Sequence, residues 1–118
     1  MFAFSATVRV FVSTSPVSMS RSFDWLAEQV REVLLEDPLA GHLFVFFNRS
    51  STAAKLLFWQ RGGYWLFYRR LERGKFRLPV KSSECRSLEL EQTELLLLLE
   101  GLELDGMKHR ARFFREAA

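Results

Sequence analysis

Residues Gly41–Phe76 read GHLFVFFNRSSTAAKLLFWQRGGYWLFYRRLERGKF, and this segment carries the densest β-signal in the chain. Four runs of strand length are rich in Phe, Tyr, Trp, Leu and Val: His42 to Asn48, Lys55 to Gln60, Tyr64 to Leu71 and Lys75 to Leu78. Turn chemistry separates them at Arg49-Ser50-Ser51-Thr52, Arg61-Gly62-Gly63 and Glu72-Arg73-Gly74. Gly62 and Gly63 are expected to supply the positive φ values of a tight hairpin, and Gly74 the αL position of a three-residue loop. The segment therefore predicts an antiparallel β-meander.

Alternation with period 2 puts Tyr64, Leu66, Tyr68 and Arg70 on one face of the third run, and Trp65, Phe67, Arg69 and Leu71 on the other. The first run divides in the same way, with Leu43, Val45 and Phe47 opposed to Phe44 and Phe46. A sheet with one solvated face has no use for apolar side chains on both sides. A helix of this chain, a second copy of it, or a ligand surface such as nucleic acid must cover the second face.

On the N-terminal side, Thr7 to Val12 alternates Val8, Val10 and Val12 with Thr7, Arg9 and Phe11, a strand pattern. The serine-rich loop from Ser13 to Ser20 follows, its hydroxyls able to hydrogen-bond backbone or a ligand and suited first to shaping the turn. Ser22 is the expected N-cap of a helix running to about Glu36, because Phe23, Leu26, Ala27, Val30, Val33 and Leu34 recur at helical spacing. Asp37-Pro38 and Gly41 are its expected stop, and Trp25 lies off the main stripe. On the C-terminal side, Pro79 to Arg86 reads as a polar connector and Glu91 to Leu102 as a second helix, apolar all round over Leu95 to Leu99. Gly101 is placed near its C-cap. The predicted class is α+β: an antiparallel meander of about four to five strands, one helix in the N-terminal half and a leucine-rich C-terminal helix.

With 118 residues the chain is expected to form one domain over residues 1–106, followed by a basic and aromatic tail over 107–118. The lone cysteine, Cys85, excludes an intrachain disulfide and a multi-cysteine zinc site. The leucine run is too short to span a bilayer and Arg9 interrupts the early apolar run, which together predict a soluble, cytoplasmic protein with no membrane association. Charge is segregated: Arg49 to Lys81 holds nine basic residues against Glu72, and Ser82 to Met107 holds seven acidic residues against Arg86. Two readings stay open at this level, mutual neutralisation within the fold and an electrostatic footprint for a phosphate backbone.

Catalytic chemistry has no visible carrier. His42 and His109 are the only histidines, neither has a Cys or a second His at ligand spacing, and no Walker-type or G-x-G-x-x-G loop occurs. The expectation is a protein that is not an enzyme and takes no cofactor or metal. Cations interleaved with aromatics on strands suit nucleic-acid contact, and the candidate phosphate contacts are Arg49, Lys55, Arg69, Arg70, Arg73, Lys75 and Arg77.

Five strings together carry a family resemblance: R-S-F-D at Arg21–Asp24, D-P-L-A-G-H-L-F-V-F-F-N-R at Asp37–Arg49, K-L-L-F-W at Lys55–Trp59, R-R-L-E-R-G-K-F at Arg69–Phe76 and L-L-E-G at Leu98–Gly101. The chain resembles the TnpB-type accessory proteins of bacterial insertion sequences that encode a DDE transposase, a family distinct from the RNA-guided nuclease of the same name. The resemblance implies a helper of transposition and brings no catalytic residues. The expected partners are DNA, from the basic residues, and the transposase of the same element or further copies of the chain. Departures from the family pattern fall at Ser18 and Ser20, at Ser50 to Ala54 and at Trp25, and they thin the polar contacts. Two molecular roles are compatible with this: DNA contact through the basic hairpin, and assembly through the leucine-rich helix and the aromatic sheet face.

Overall fold

The computed structural model describes residues 4–78 and 85–101, together with the backbone of residues 110–112. In chain order its elements are β1 (Val10–Ser13), α1 (Phe23–Glu32), β2 (Leu43–Phe47), β3 (Ala53–Gln60), β4 (Gly63–Arg70), β5 (Ser87–Leu90), α2 (Gln92–Leu99) and β6 (Arg110–Arg112). The six strands form one mixed sheet in the order β4-β3-β2-β1-β5-β6. Only β1 and β2 run parallel, because α1 carries the chain back between them, and every other pair is antiparallel. The α+β class is thus observed, and the meander is β2–β3–β4.

The two apolar faces are covered by the chain's own helices. On one face Val10, Val12, Leu43, Val45, Phe47, Leu56 and Leu88 pack with Leu95, Leu98 and Leu99 of α2. On the other, Phe11, Phe44, Phe46 and Leu57 pack with Leu26, Ala27, Val30 and Leu34 on and just beyond α1. The leucine-rich helix is therefore committed to this chain's core. It starts on a reciprocal capping box between Glu91 and Glu94, and beyond its C-terminus Gly101 donates to the Leu98 carbonyl at 3.0 Å and takes a φ of 79°, which turns the chain out of the helix.

Several local expectations are corrected. Lys75 to Leu78 is not a strand. After β4 the chain folds back over the β2–β3 loop: Leu71 donates to the Thr52 carbonyl and Phe76 to the Ser51 carbonyl, at 2.8 and 2.7 Å. One buried aromatic, not a ladder, anchors this segment, since the Phe76 ring lies 5.3 Å from that of Phe47. Conversely β5 is a strand that the expected connector and helix left out. Leu88 and Leu90 enter the α2-side core, but Ser87 and Glu89 are buried on the opposite face, and those polar residues hide the apolar signal. Helix α1 stops at Glu32, short of Asp37-Pro38, where Leu35 adopts a φ of 57° and Glu36 donates to the Val30 carbonyl.

In the β3–β4 hairpin the positive φ values fall on Arg61 (48°) and Gly62 (82°), while Gly63 already belongs to β4. Two consecutive positive φ values in a two-residue loop define a type I′ turn, whose twist matches that of the flanking strands. The register it sets runs unbroken from Gln60↔Gly63 to Ala53↔Arg70.

Candidate functional site

The most elaborate connection in the structure lies where β1 and β2 end side by side. Asn48, the first residue beyond β2, organises it: its Oδ1 accepts the backbone N–H groups of Thr52 and Ala53 at 2.9 and 3.0 Å, and its Nδ2 donates to Thr52 Oγ1. An asparagine that satisfies its own loop in this way holds the turn without a regular ladder. Ser51 takes a φ of 58° within it. Two other segments are tied to this hub, because Val17 donates to the Phe47 carbonyl at 2.9 Å and Phe76 to the Ser51 carbonyl.

These ties build two adjoining clefts. One, of about 650 Å3, is lined by Pro16, Val17, Ser18, Met19, Asn48, Arg49 and Ser50. The other, of about 430 Å3, is lined by Arg49, Ser50, Ser51, Gly74, Lys75, Phe76, Arg77 and Leu78. Arg49 and Ser50 belong to both. Phe76 and Val17 are buried anchors, so the neighbours of Phe76, Lys75 and Arg77, are forced outward to solvent. The lining of both clefts contains three cations and several hydroxyls but no carboxylate. Among the described residues Arg49 and Lys75 have no ion-pair partner. A concave, hydroxyl-lined wall bearing the unpaired Arg49 and Lys75 is a chemistry suited to anionic oxygen.

Three of the seven sequence-predicted residues, Arg49, Lys75 and Arg77, are thus brought together. The other four are not. Arg73 is exposed in the turn before Gly74, outside the clefts. Arg70, at the end of β4, is exposed and bonded to Glu72 at 2.9 Å. Arg69 projects to the opposite face, where its Nε donates to the Leu99 carbonyl at 2.7 Å and its guanidinium lies 3.8 Å from Glu100, a favourable place for a cation at a helix C-terminus. Lys55 is 7% exposed on the α1 side; its Nζ donates to the Arg21 carbonyl at 2.7 Å and stands over the Tyr68 ring. Lys55 is therefore a structural lysine, outside the lining of both clefts. The Pro16–Met19 wall belongs to the serine-rich loop, in which the Ser18 and Ser20 hydroxyls bond each other at 2.8 Å.

His42 is likewise occupied structurally. Its Nδ1 accepts the backbone N–H of Arg9 at 2.9 Å, next to the two-pronged contact of the Arg9 guanidinium with the Glu89 carboxylate at 2.7 and 2.8 Å. Burial pushes the imidazole below its ordinary 6.5, and the Arg9 charge acts in the same direction, against weaker opposing effects of Glu36 and Glu89. The folded chain thus favours neutral His42, and the unfolded chain takes up the proton first as pH falls. This contribution to stability is complete above 6.5 and is lost as pH drops from there through the depressed folded value. Urea unfolding at pH 7.5 and 5.5 is expected to show a smaller acid loss in His42→Gln than in the wild type; equal losses would contradict this reading.

Among the described residues no group of three or more His, Cys, Asp or Glu is placed to hold a metal ion, and no helix is long and apolar enough to cross a membrane.

A family model described as IS66 Orf2 like protein, TnpB_IS66, matches residues 8–109, which include every residue of both clefts. The chain belongs to this IS66 Orf2-like family. Among similar proteins, the uncharacterized protein y4hO of Sinorhizobium fredii (strain NBRC 101917 / NGR234) is 38% identical over 96 residues, covering 81% of this chain and 82% of that protein. The uncharacterized protein y4jC of the same organism is 33% identical over 107 residues, covering 90% of this chain and 89% of its own. No solved structure matches significantly. Membership of the IS66 Orf2-like family associates the chain with transposition of an insertion sequence, in the role of an accessory protein.

Proposed function

We propose that this accessory protein contacts DNA through the paired clefts, with Arg49, Lys75 and Arg77 neutralising backbone phosphates and the Ser18, Ser50 and Ser51 hydroxyls supplying hydrogen bonds. The observation that carries the reading is the convergence of three cations from two separate segments on a carboxylate-free wall. Such contacts position a protein on the duplex without reading its sequence, and they weaken with salt because bound counterions are released. The setting agrees with a general tendency of sheets containing parallel strands to bind ligands beyond the strands' carboxyl ends, which is an analogy of fold and not of function. The protein's work is then to bind and orient DNA for a separate strand-transfer enzyme, with no chemical step of its own.

Fluorescence anisotropy over a salt series tests this with a duplex carrying the element's end and an unrelated duplex. For Arg49→Ala/Lys75→Ala/Arg77→Ala, the slope of log K against log salt is expected to become shallower by about 0.9 for each phosphate contact removed, equally on both duplexes. Unchanged affinity and slope in a variant with wild-type circular dichroism would overturn the assignment.

A further inference from the structure

The outer edge of β4 presents an open problem of its own. Natural edge strands are kept from pairing by shortness, proline, a bulge or charge along their length. At the other end of the sheet, β6 is three residues long and two of them are arginine. β4 has eight residues, no proline and an unbroken register with β3, and its central side chains run Tyr64, Trp65, Leu66, Phe67 and Tyr68. Trp65 and Tyr68 are each 55% exposed, on opposite faces. Among the described residues nothing pairs with this edge.

The hairpin fixes which backbone groups are offered. The two-residue turn makes Gln60↔Gly63 a hydrogen-bonded pair, and the bond from Leu71 to Thr52 keeps the same phase at the far end. Gly63, Trp65, Phe67 and Arg69 therefore point their N–H and C=O groups at β3. Tyr64, Leu66, Tyr68 and Arg70 point theirs outward.

We infer that this edge pairs with the same edge of a second copy, antiparallel about a two-fold axis at Phe67. The strand is aromatic in its first half and cationic in its second, so this arrangement complements itself. Leu66 faces the partner's Tyr68 and Tyr64 the partner's Arg70, both as hydrogen-bonded pairs of outward backbone groups. Trp65 faces the partner's Arg69 across the closer, non-hydrogen-bonded spacing. Trp65 and Tyr64 each meet a guanidinium, a favourable cross-strand and cation–π contact, Tyr68 packs on the partner's Leu66, and no arginine is set directly opposite another. Closed two-fold symmetry uses up both edges and stops further addition, which an unprotected apolar edge requires. The cations at the clefts play no part in this pairing, so it stands or falls separately from DNA contact.

Analytical ultracentrifugation of the full chain at roughly 50 μM, well above a micromolar dissociation constant, is expected to give twice the 13.8 kDa chain mass. Leu66→Pro and Tyr68→Pro each delete an outward N–H and leave the β3 ladder intact, so both are expected to sediment as folded monomers by circular dichroism. A monomeric wild type would overturn the inference and leave the edge to a strand of another protein. Dimers persisting in both variants would also overturn it. Should the proline variants fail to fold, Trp65→Cys/Arg69→Cys is expected to cross-link into a covalent dimer under mild oxidation while Trp65→Cys alone does not; absence of the cross-link in the double variant would count equally against the pairing.

Discussion

Phe44→Ala is expected to lower unfolding stability by about 3–5 kcal/mol, a large part of the roughly 5–15 kcal/mol typical of a domain. Phe44 has no exposed surface and sits on β2, a strand flanked by β1 and β3. Its ring stacks on Phe11 at 5.6 Å on the face covered by α1. Removing it opens a cavity among Phe11, Leu26 and Val30, where the rigid sheet on one side and the helix on the other limit collapse. Denaturant unfolding at fixed protein concentration measures the loss. Phe44→Leu, which keeps most of the volume, is expected to lose about 1–1.5 kcal/mol, and an alanine variant losing no more than that would show that the site is loosely packed.

The second large effect is expected at Arg9. Glu89 is a carboxylate inside the α1-side layer, its side chain only 9% exposed and its backbone paired opposite Phe11. Arg9 holds it with two hydrogen bonds and lays its guanidinium 4.9 Å from the Phe11 ring. A charge taken out of water in this manner is tolerable only while compensated. Arg9→Ala should cost about 2–3 kcal/mol, below the full range for a buried pair because Arg9 itself is half exposed. Arg9→Leu/Glu89→Leu should recover most of that loss, since the uncompensated charge disappears with its partner. A cost within about 0.5 kcal/mol for Arg9→Ala, the level of an ordinary surface change, would contradict the compensation argument.

The sheet was legible where side-chain pattern and turn chemistry agreed. β2, β3 and β4 are runs of five or more residues rich in apolar and aromatic side chains, separated by serine- or glycine-marked turns, so their existence and pairing could be read directly. β5 was not legible because the alternation Ser87-Leu88-Glu89-Leu90 spans only four residues and runs straight into the leucine-rich helix, and the carboxylate it buries is held by Arg9, eighty positions away. The fourth expected strand failed for a related reason: Lys75 to Leu78 alternates correctly, but the backbone partner of Phe76 is the loop carbonyl of Ser51 instead of a neighbouring strand. Positive φ at Leu35 and Arg61, where the sequence offers no glycine, is set by tertiary context.

The site was legible by residue type and not by grouping. All seven candidate cations lie in one stretch of sequence, yet parity on β4 sends Arg69 to the α2 side, and β3 carries Lys55 into the α1 layer. Arg49, Lys75 and Arg77 converge because Asn48 and Phe76 fold two irregular segments against each other, an arrangement no period announces. The same logic locates the two outward-looking regions at separate places, the clefts beyond β1 and β2 and the free edge of β4. The proposed DNA contact and the proposed pairing with a second copy thus use separate surfaces.

The central claim is that DNA lies in the paired clefts, and amide chemical-shift mapping of the 15N-labelled protein titrated with a short duplex tests it most directly. The expected result is a set of salt-sensitive shifts at Val17–Met19, Asn48–Thr52 and Gly74–Leu78, lost in Arg49→Ala/Lys75→Ala/Arg77→Ala. Shifts confined to β4 or to α1, with the cleft amides unmoved, would contradict it.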